Sequence, residues 1–348
     1  MSNHFEIVPV EVQDQLSDDS YNPENPDSTP ENFEGILAKI GDLNEAAASL
    51  ASDALSEATQ NAYRADWRRW CKWCKAHNLH PLGPSGQLAL YIASLVEQDY
   101  KIPTIDRALS AVSLAYRLAD KPNPRKDPAV AAVFQGARRR IGIAPDQMTA
   151  ILPTELQKMV EALPMDEHSR LRSIRNRAAL VMGFYGGFRR SELLALDIAD
   201  IAEVPEGLKI LIRRSKTDQV GRGRMLGLPY QSVTSVCPVR ALKEWLLASG
   251  ITEGPVFRTI SKDGLEVLDT RLCTRQFCDI VKSAAQRVGL TGKYGGHSLR
   301  AGLVTAAVRA KKNPKSIMQQ TGHKTMDILM RYVREQAMFE DNAAAGLI

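Results

Sequence analysis

At 348 residues the chain is long enough for two domains that each bury a core, and at 44% hydrophobic residues, with no apolar run near the roughly 18 residues of a membrane span, it is expected to be soluble. There is no basic segment followed by an apolar one at the N-terminus, and the five cysteines are scattered, which suits a reducing cytoplasm. The net charge of +5 is unevenly spread: residues 1–45 hold eleven acidic side chains and one basic, Lys39, so residues 46–348 carry +15, which points to a polyanion such as DNA or RNA.

Residues 1–45 are rich in Asn, Pro and Ser, as in Asn22-Pro23-Glu24-Asn25-Pro26-Asp27, and poor in periodic apolar positions, so a disordered leader is expected. From Ser56, a suitable N-cap, Tyr63, Trp67, Trp70, Cys71 and Cys74 recur at helical spacing and define a core stripe. Arg64, Arg68, Arg69, Lys72 and Lys75 fall on the other side, where the regional charge favours phosphate contact over a merely solvated face. Cys71-x-x-Cys74 has no second pair at zinc-like spacing among Cys237, Cys273 and Cys278, so both are read as core residues and no metal site is expected.

Further helices are expected at about 86–98, at 104–119 behind Pro103, and at 128–140, where Asp127-Pro128 supplies an N-cap followed by an N1 proline. Residues 46–142 thus read as an all-helical domain ending in Arg138-Arg139-Arg140. Those three arginines, with Lys101, Thr104 and Arg107 at the start of the third helix, join Arg64, Arg68, Arg69 and Lys72 as candidate DNA-binding residues. A linker is expected over 143–152, around Gly142-Ile143-Ala144-Pro145-Asp146.

The second domain, 153–336, resumes with helices near Pro153-Thr154-Glu155 and at 171–185. The period then changes. Leu208, Ile210 and Ile212 alternate as a strand, a loop rich in Lys, Arg and Gly follows, and Met225 to Leu228 can return antiparallel. Helices are expected again at about 240–249, 271–289, 298–310, 314–320 and 325–336. The fold class is therefore mainly α: a helical N-terminal domain and a mixed, mostly helical C-terminal domain with a small antiparallel β-hairpin. In the tail, 337–348, Phe339, Ala343 and Leu347 recur every four residues, a short apolar stripe that could fold back on its own domain or dock on another surface.

The chemically informative residues are Arg189 and Glu192 in Gly187-Phe188-Arg189-Arg190-Ser191-Glu192-Leu193, Lys216 in Arg214-Ser215-Lys216-Thr217, His297-Ser298-Leu299-Arg300, Thr321-Gly322-His323, and Tyr332. Taken singly, each has an ordinary explanation: an ion pair three residues apart, a solvated turn lysine, a structural histidine. Their order and spacing, with the tyrosine nine residues after His323, resemble the catalytic signature of the tyrosine recombinases, or integrase family. The resemblance covers roughly residues 46–348 and is nearest to the Cre-type site-specific recombinases, although His323 follows the wider family rather than the tryptophan of the Cre type.

The resemblance implies Tyr332 as the nucleophile that attacks a DNA phosphate, a poor nucleophile until it loses a proton because its pKa is about 10. Arg189 and Arg300 would clamp the phosphate oxygens, His297 would assist proton transfer from the tyrosine, Lys216 would protonate the leaving 5′ oxygen, and His323 would bind a phosphate oxygen. Glu192 would orient the pocket rather than act as a base. The product implied is a 3′-phosphotyrosyl DNA, formed without cofactor, metal or nucleotide. The partners implied are double-stranded DNA with an inverted-repeat site and a homotetramer on that DNA, with the free protein a monomer. The tail, 337–348, would be a helix exchanged with the neighbouring protomer. A cytoplasmic, nucleoid-associated protein encoded by a bacterium, phage or plasmid fits. Two alternatives share these residues or this fold: a type IB topoisomerase-like enzyme that relaxes DNA, and a non-catalytic DNA-binding module.

Overall fold

Ser56 caps the first helix by accepting a hydrogen bond from the amide of Thr59, and Asp127 does the same for Ala129 at the start of the fourth; both ends lie where capping side chains predict them. The computed structural model describes residues 56–143, 147–213, 223–326 and 329–330. Two compact units divide the chain, Met1–Pro145 and Asp146–Ile348.

The first unit contains helices α1 (Glu57–Ala76), α2 (Gly86–Glu97), α3 (Ile102–Leu118) and α4 (Pro128–Ile141), with α1 packed on α3 and α2 on α4. Its core takes Trp67, Trp70 and Cys74 from α1, Leu88, Tyr91 and Ile92 from α2, and Ile105, Leu109 and Val112 from α3. The indole of Trp70 donates to the carbonyl of Pro81 at 2.9 Å, so burying that ring leaves no orphan donor. One buried residue breaks the apolar stripe: Asp66 is 0% exposed.

The second unit is built round α6 (Glu167–Tyr185), whose last half, Ala178 to Phe184, is buried on every side against α8 (Pro238–Ser249) and α10 (Gly296–Arg309). Helices α5 (Pro153–Glu161), α7 (Arg190–Ala195), α9 (Thr274–Arg287) and α11 (Pro314–Thr321) complete it. Strands β1 (Ile201–Val204), β2 (Gly207–Ile212) and β3 (Arg224–Pro229) form an antiparallel meander, with Leu208 opposite Leu228 and Ile210 opposite Leu226. Leu208, Ile210 and Ile212 all point into the core, as their alternation predicts.

The fold is mainly α, and the sheet content exceeds the expected hairpin. β1 adds a third strand, and β4 (Arg258–Ile260) with β5 (Val267–Arg271) forms a second antiparallel pair. The stretch read as the end of the linker is bonded into the second unit: Thr149 donates its amide to Lys293 and Ile151 to Ser298, and Ile151 is fully buried. Most of the helix expected at 325–336, the tail and the acidic leader lie outside the described residues. Among the described residues, no helix is long and apolar enough to cross a membrane.

Candidate active site

Arg189 stands just past a sharp change of direction. α6 ends at Tyr185, and Gly187 adopts φ 54°, a left-handed conformation that glycine takes at no steric cost. A Cβ there would also lie 2.8 Å from Leu303 and 2.9 Å from Thr321, so a side chain is barred twice. Phe188 turns back into the core and Arg189 becomes the N-cap of α7.

Glu192 reaches back from the first turn of α7. One carboxylate oxygen accepts the amide of Arg189 at 3.0 Å, and the other takes its guanidinium at 2.5 Å. The Arg-x-x-Glu spacing is therefore a cap and an ion pair at once, with Arg189 preceding the helix instead of lying on its face. Glu192 is 2% exposed, and a buried carboxylate needs this pairing. Arg190 points elsewhere, toward the sulfur of Cys278 on α9.

Arg300 is buried on α10, and its Nη1 donates to the carbonyls of Gly187 at 2.6 Å and Thr321 at 2.5 Å. These bonds tie three segments together: α10, the turn before Arg189, and the end of α11. The close approach of α10 to the chain at Ile151 depends on Gly302, where a Cβ would fall 1.8 Å from the Ile151 carbonyl oxygen.

His297 opens α10, one turn from Arg300, and is exposed to solvent. Crowding by surrounding protein, reinforced by the charges of Arg300, Arg189 and Arg190, holds its imidazole below the ordinary histidine range, which keeps it neutral and able to accept a proton. His323 is half-buried just beyond α11. Burial first, then Arg300, Arg189, His297 and Arg224, lower it to about 4. Its Nδ1 meets the hydroxyl of Thr321 at 2.9 Å.

Arg224, which opens β3, is a member of the site that sequence reasoning passed over. Its Nη1 donates to the carbonyls of Gln319 and Gln320 at 3.0 and 2.9 Å, in the last turn of α11, where helix carbonyls lack intrahelical donors, and its Nη2 lies 3.7 Å from Glu192. Burial pushes this guanidinium below the usual arginine range, and Glu192 opposes that shift. Arg189, Glu192, His297, Arg300 and His323 are thus gathered with Arg224 into one cationic pocket. Lys216 and Tyr332 lie outside the described residues.

The candidate DNA-binding residues of the first unit fall into two groups. Arg68, Lys72, Lys101, Arg138, Arg139 and Arg140 are exposed, while Arg64 and Thr104 are half-buried. Arg69 and Arg107 converge on the buried Asp66, Arg69 at 3.0 Å and Arg107 at 2.7 Å, and Arg69 also lies over the ring of Tyr100.

The phage integrase family model matches residues 150–338, a stretch that spans Arg189 through Tyr332. An integrase/recombinase xerD homolog of Selenomonas ruminantium is 32% identical over 82% of this chain and 84% of its own length. Recombinase cre of Escherichia phage P1 is 25% identical over 70% of this chain and 74% of that protein. Among solved structures, the site-specific recombinase XerH bound to palindromic difH substrate superposes with a TM-score of 0.58 at 19% identity, covering 81% of this chain and 79% of that one. With the family model covering more than half of the sequence and a relative above 30% identity along most of it, this chain belongs to the phage integrase family, the tyrosine recombinases.

Proposed function

We propose that the protein is a site-specific DNA recombinase that cleaves and rejoins double-stranded DNA through a 3′-phosphotyrosyl intermediate. The observation that carries this reading is the gathering of Arg189, Arg300 and Arg224 round Glu192 and the end of α11, beside His297 and His323. The oxygen of Tyr332 attacks the phosphorus and the bond to the 5′ oxygen breaks. His297 takes the tyrosine proton and Lys216 supplies one to the leaving oxygen. Arg189 and Arg300 counter the charge of the pentacoordinate phosphorus, and His323 binds a phosphate oxygen. The ester conserves the energy of the broken bond, so rejoining needs neither ATP nor a metal.

The arrangement of the basic residues supports a DNA partner: the exposed cations of α1, α3 and α4 are suited to backbone phosphates. In this reading residues 46–142 form the core-binding domain, 143–152 join it to the catalytic domain of 153–336, and 337–348 dock on a neighbouring protomer. Four protomers then hold two inverted-repeat sites in a closed ring. The test is an assay on plasmids carrying one or two copies of the cognate site. Exchange between paired sites is the expected result; relaxation of supercoils without exchange would identify a topoisomerase, and binding with neither would identify a non-catalytic module.

A further inference from the structure

We propose that Thr321 is a positioning residue that fixes the tautomer of His323, so that His323 engages the scissile phosphate as an imidazolium and the pocket takes up a proton from solvent when that phosphate binds. The proposal rests on the functional reading above for the identity of the ligand, and on hydrogen-bond bookkeeping for the rest.

Thr321 is fully buried at the end of α11, and among the described residues its hydroxyl meets the Ile317 carbonyl at 2.6 Å and Nδ1 of His323 at 2.9 Å. A carbonyl can only accept, so the single hydroxyl hydrogen points to Ile317. The hydroxyl oxygen therefore faces His323 with a lone pair, and Nδ1 must carry the hydrogen between them. In the neutral ring, Nε2 is then a bare acceptor. A bare acceptor repels a phosphate oxygen, so binding one requires a second proton, on Nε2.

The charges facing the ring oppose that proton in the free protein: Arg300 and His297 from α10, Arg189 from the turn before α7, and Arg224 from β3. Glu192, the carboxylate of the cluster, is already engaged by Arg189 and Arg224. A phosphate entering the pocket reverses the balance by adding negative charge beside Nε2. The neutral Nε2–H tautomer could donate without protonation, and the Thr321 hydroxyl excludes it. Arg300 fixes the same residue through its backbone, since Nη1 binds the Thr321 carbonyl.

The test uses the full chain with histidine ring nitrogens labelled for NMR, alone and bound to a half-site duplex. Free protein at pH 7 should show hydrogen on Nδ1 only, and the complex should show both nitrogens protonated. Affinity should then weaken with rising pH by up to tenfold per unit, as one linked proton requires. A methylphosphonate at the scissile position should remove that dependence. Thr321→Ser should keep the tautomer and the dependence. Thr321→Val, close in shape, should lose both, because its His323 can donate as the neutral Nε2–H form. An Nε2–H tautomer in the free wild type, or a singly protonated ring in the complex, would overturn the proposal. Absence of any covalent adduct on a nicked suicide substrate would instead overturn the functional reading and leave the tautomer result standing.

Discussion

Arg300 donates to the backbone carbonyl of Gly187 at 2.6 Å, so one buried guanidinium braces the turn that presents the other arginine of the pocket, Arg189. The two arginines are therefore not equivalent, and their removal should differ in kind.

Arg189→Ala and Arg300→Ala should both abolish cleavage while DNA binding falls far less, because exposed cations elsewhere dominate affinity. Arg300→Ala should also unfold the second unit much more easily than Arg189→Ala does. It deletes hydrogen bonds from a charged donor to two buried carbonyls, each worth roughly 1.5–3 kcal/mol. Thermal melts should show a clear loss of Tm for Arg300→Ala and a smaller one for Arg189→Ala, where Arg224 still faces Glu192. Equal Tm losses would contradict the bracing role.

Arg224→Ala should slow cleavage on the order of 10²-fold, the scale set by misplacing a catalytic group by about 1 Å. It frees the carbonyls of Gln319 and Gln320 and loosens the turn that carries His323. Single-turnover cleavage with DNA at saturation separates this from weakened binding, and an unchanged rate would remove Arg224 from the site.

In the first unit, Arg107→Ala should destabilise the fold by leaving the buried Asp66 with Arg69 as its partner among the described residues, at a cost of about 1–3 kcal/mol because the half-exposed Arg107 is partly screened by solvent. Arg68→Ala should leave Tm unchanged and reduce the salt dependence of DNA binding by about 0.9 in log–log slope, as loss of one phosphate contact requires. If Arg107→Ala melted like the wild type and changed only the salt slope, Arg107 would be a phosphate ligand and not a strut.

His323 is held near 4 in the fold, against about 6.5 in an unfolded chain, so the unfolded state binds the extra proton first. Nothing is lost above about pH 6.5. Stability falls as the pH drops from there toward 4, and lowering the pH from 7 to 5 should reduce Tm more for the wild type than for His323→Gln. Equal reductions would mean that His323 titrates alike in both states.

Much of the fold is legible in the sequence because its causes are local. The stripe of Trp67, Trp70 and Cys74, the Asp127-Pro128 start of α4 and the alternation of Leu208, Ile210 and Ile212 each follow from period or capping. β1 and β5 escape because they are short and half-buried, and Asp269-Thr270-Arg271 carries no apolar alternation. The roles of Asp66 and Arg224 could not be read, since each depends on partners far away in sequence: Arg107 for Asp66, and the end of α11 for Arg224. Arg224 is also hidden among the charges of the preceding loop. The gathering of Arg189, His297, Arg300 and His323 was legible only as a pattern of spacing, and the bonds to Gly187 and Thr321 explain how the chain achieves it.

Tyr332 is expected to form the covalent bond to DNA in the pocket of Arg189 and Arg300. The most direct measurement traps the adduct on a nicked suicide substrate in the presence of EDTA, digests it with protease and nuclease, and locates the attached nucleotide by mass spectrometry. The nucleotide should be found on Tyr332 through its 3′ phosphate, and Tyr332→Phe should bind the site and give no adduct. Attachment to another residue, an adduct that persists in Tyr332→Phe, or cleavage abolished by EDTA and restored by magnesium would contradict it.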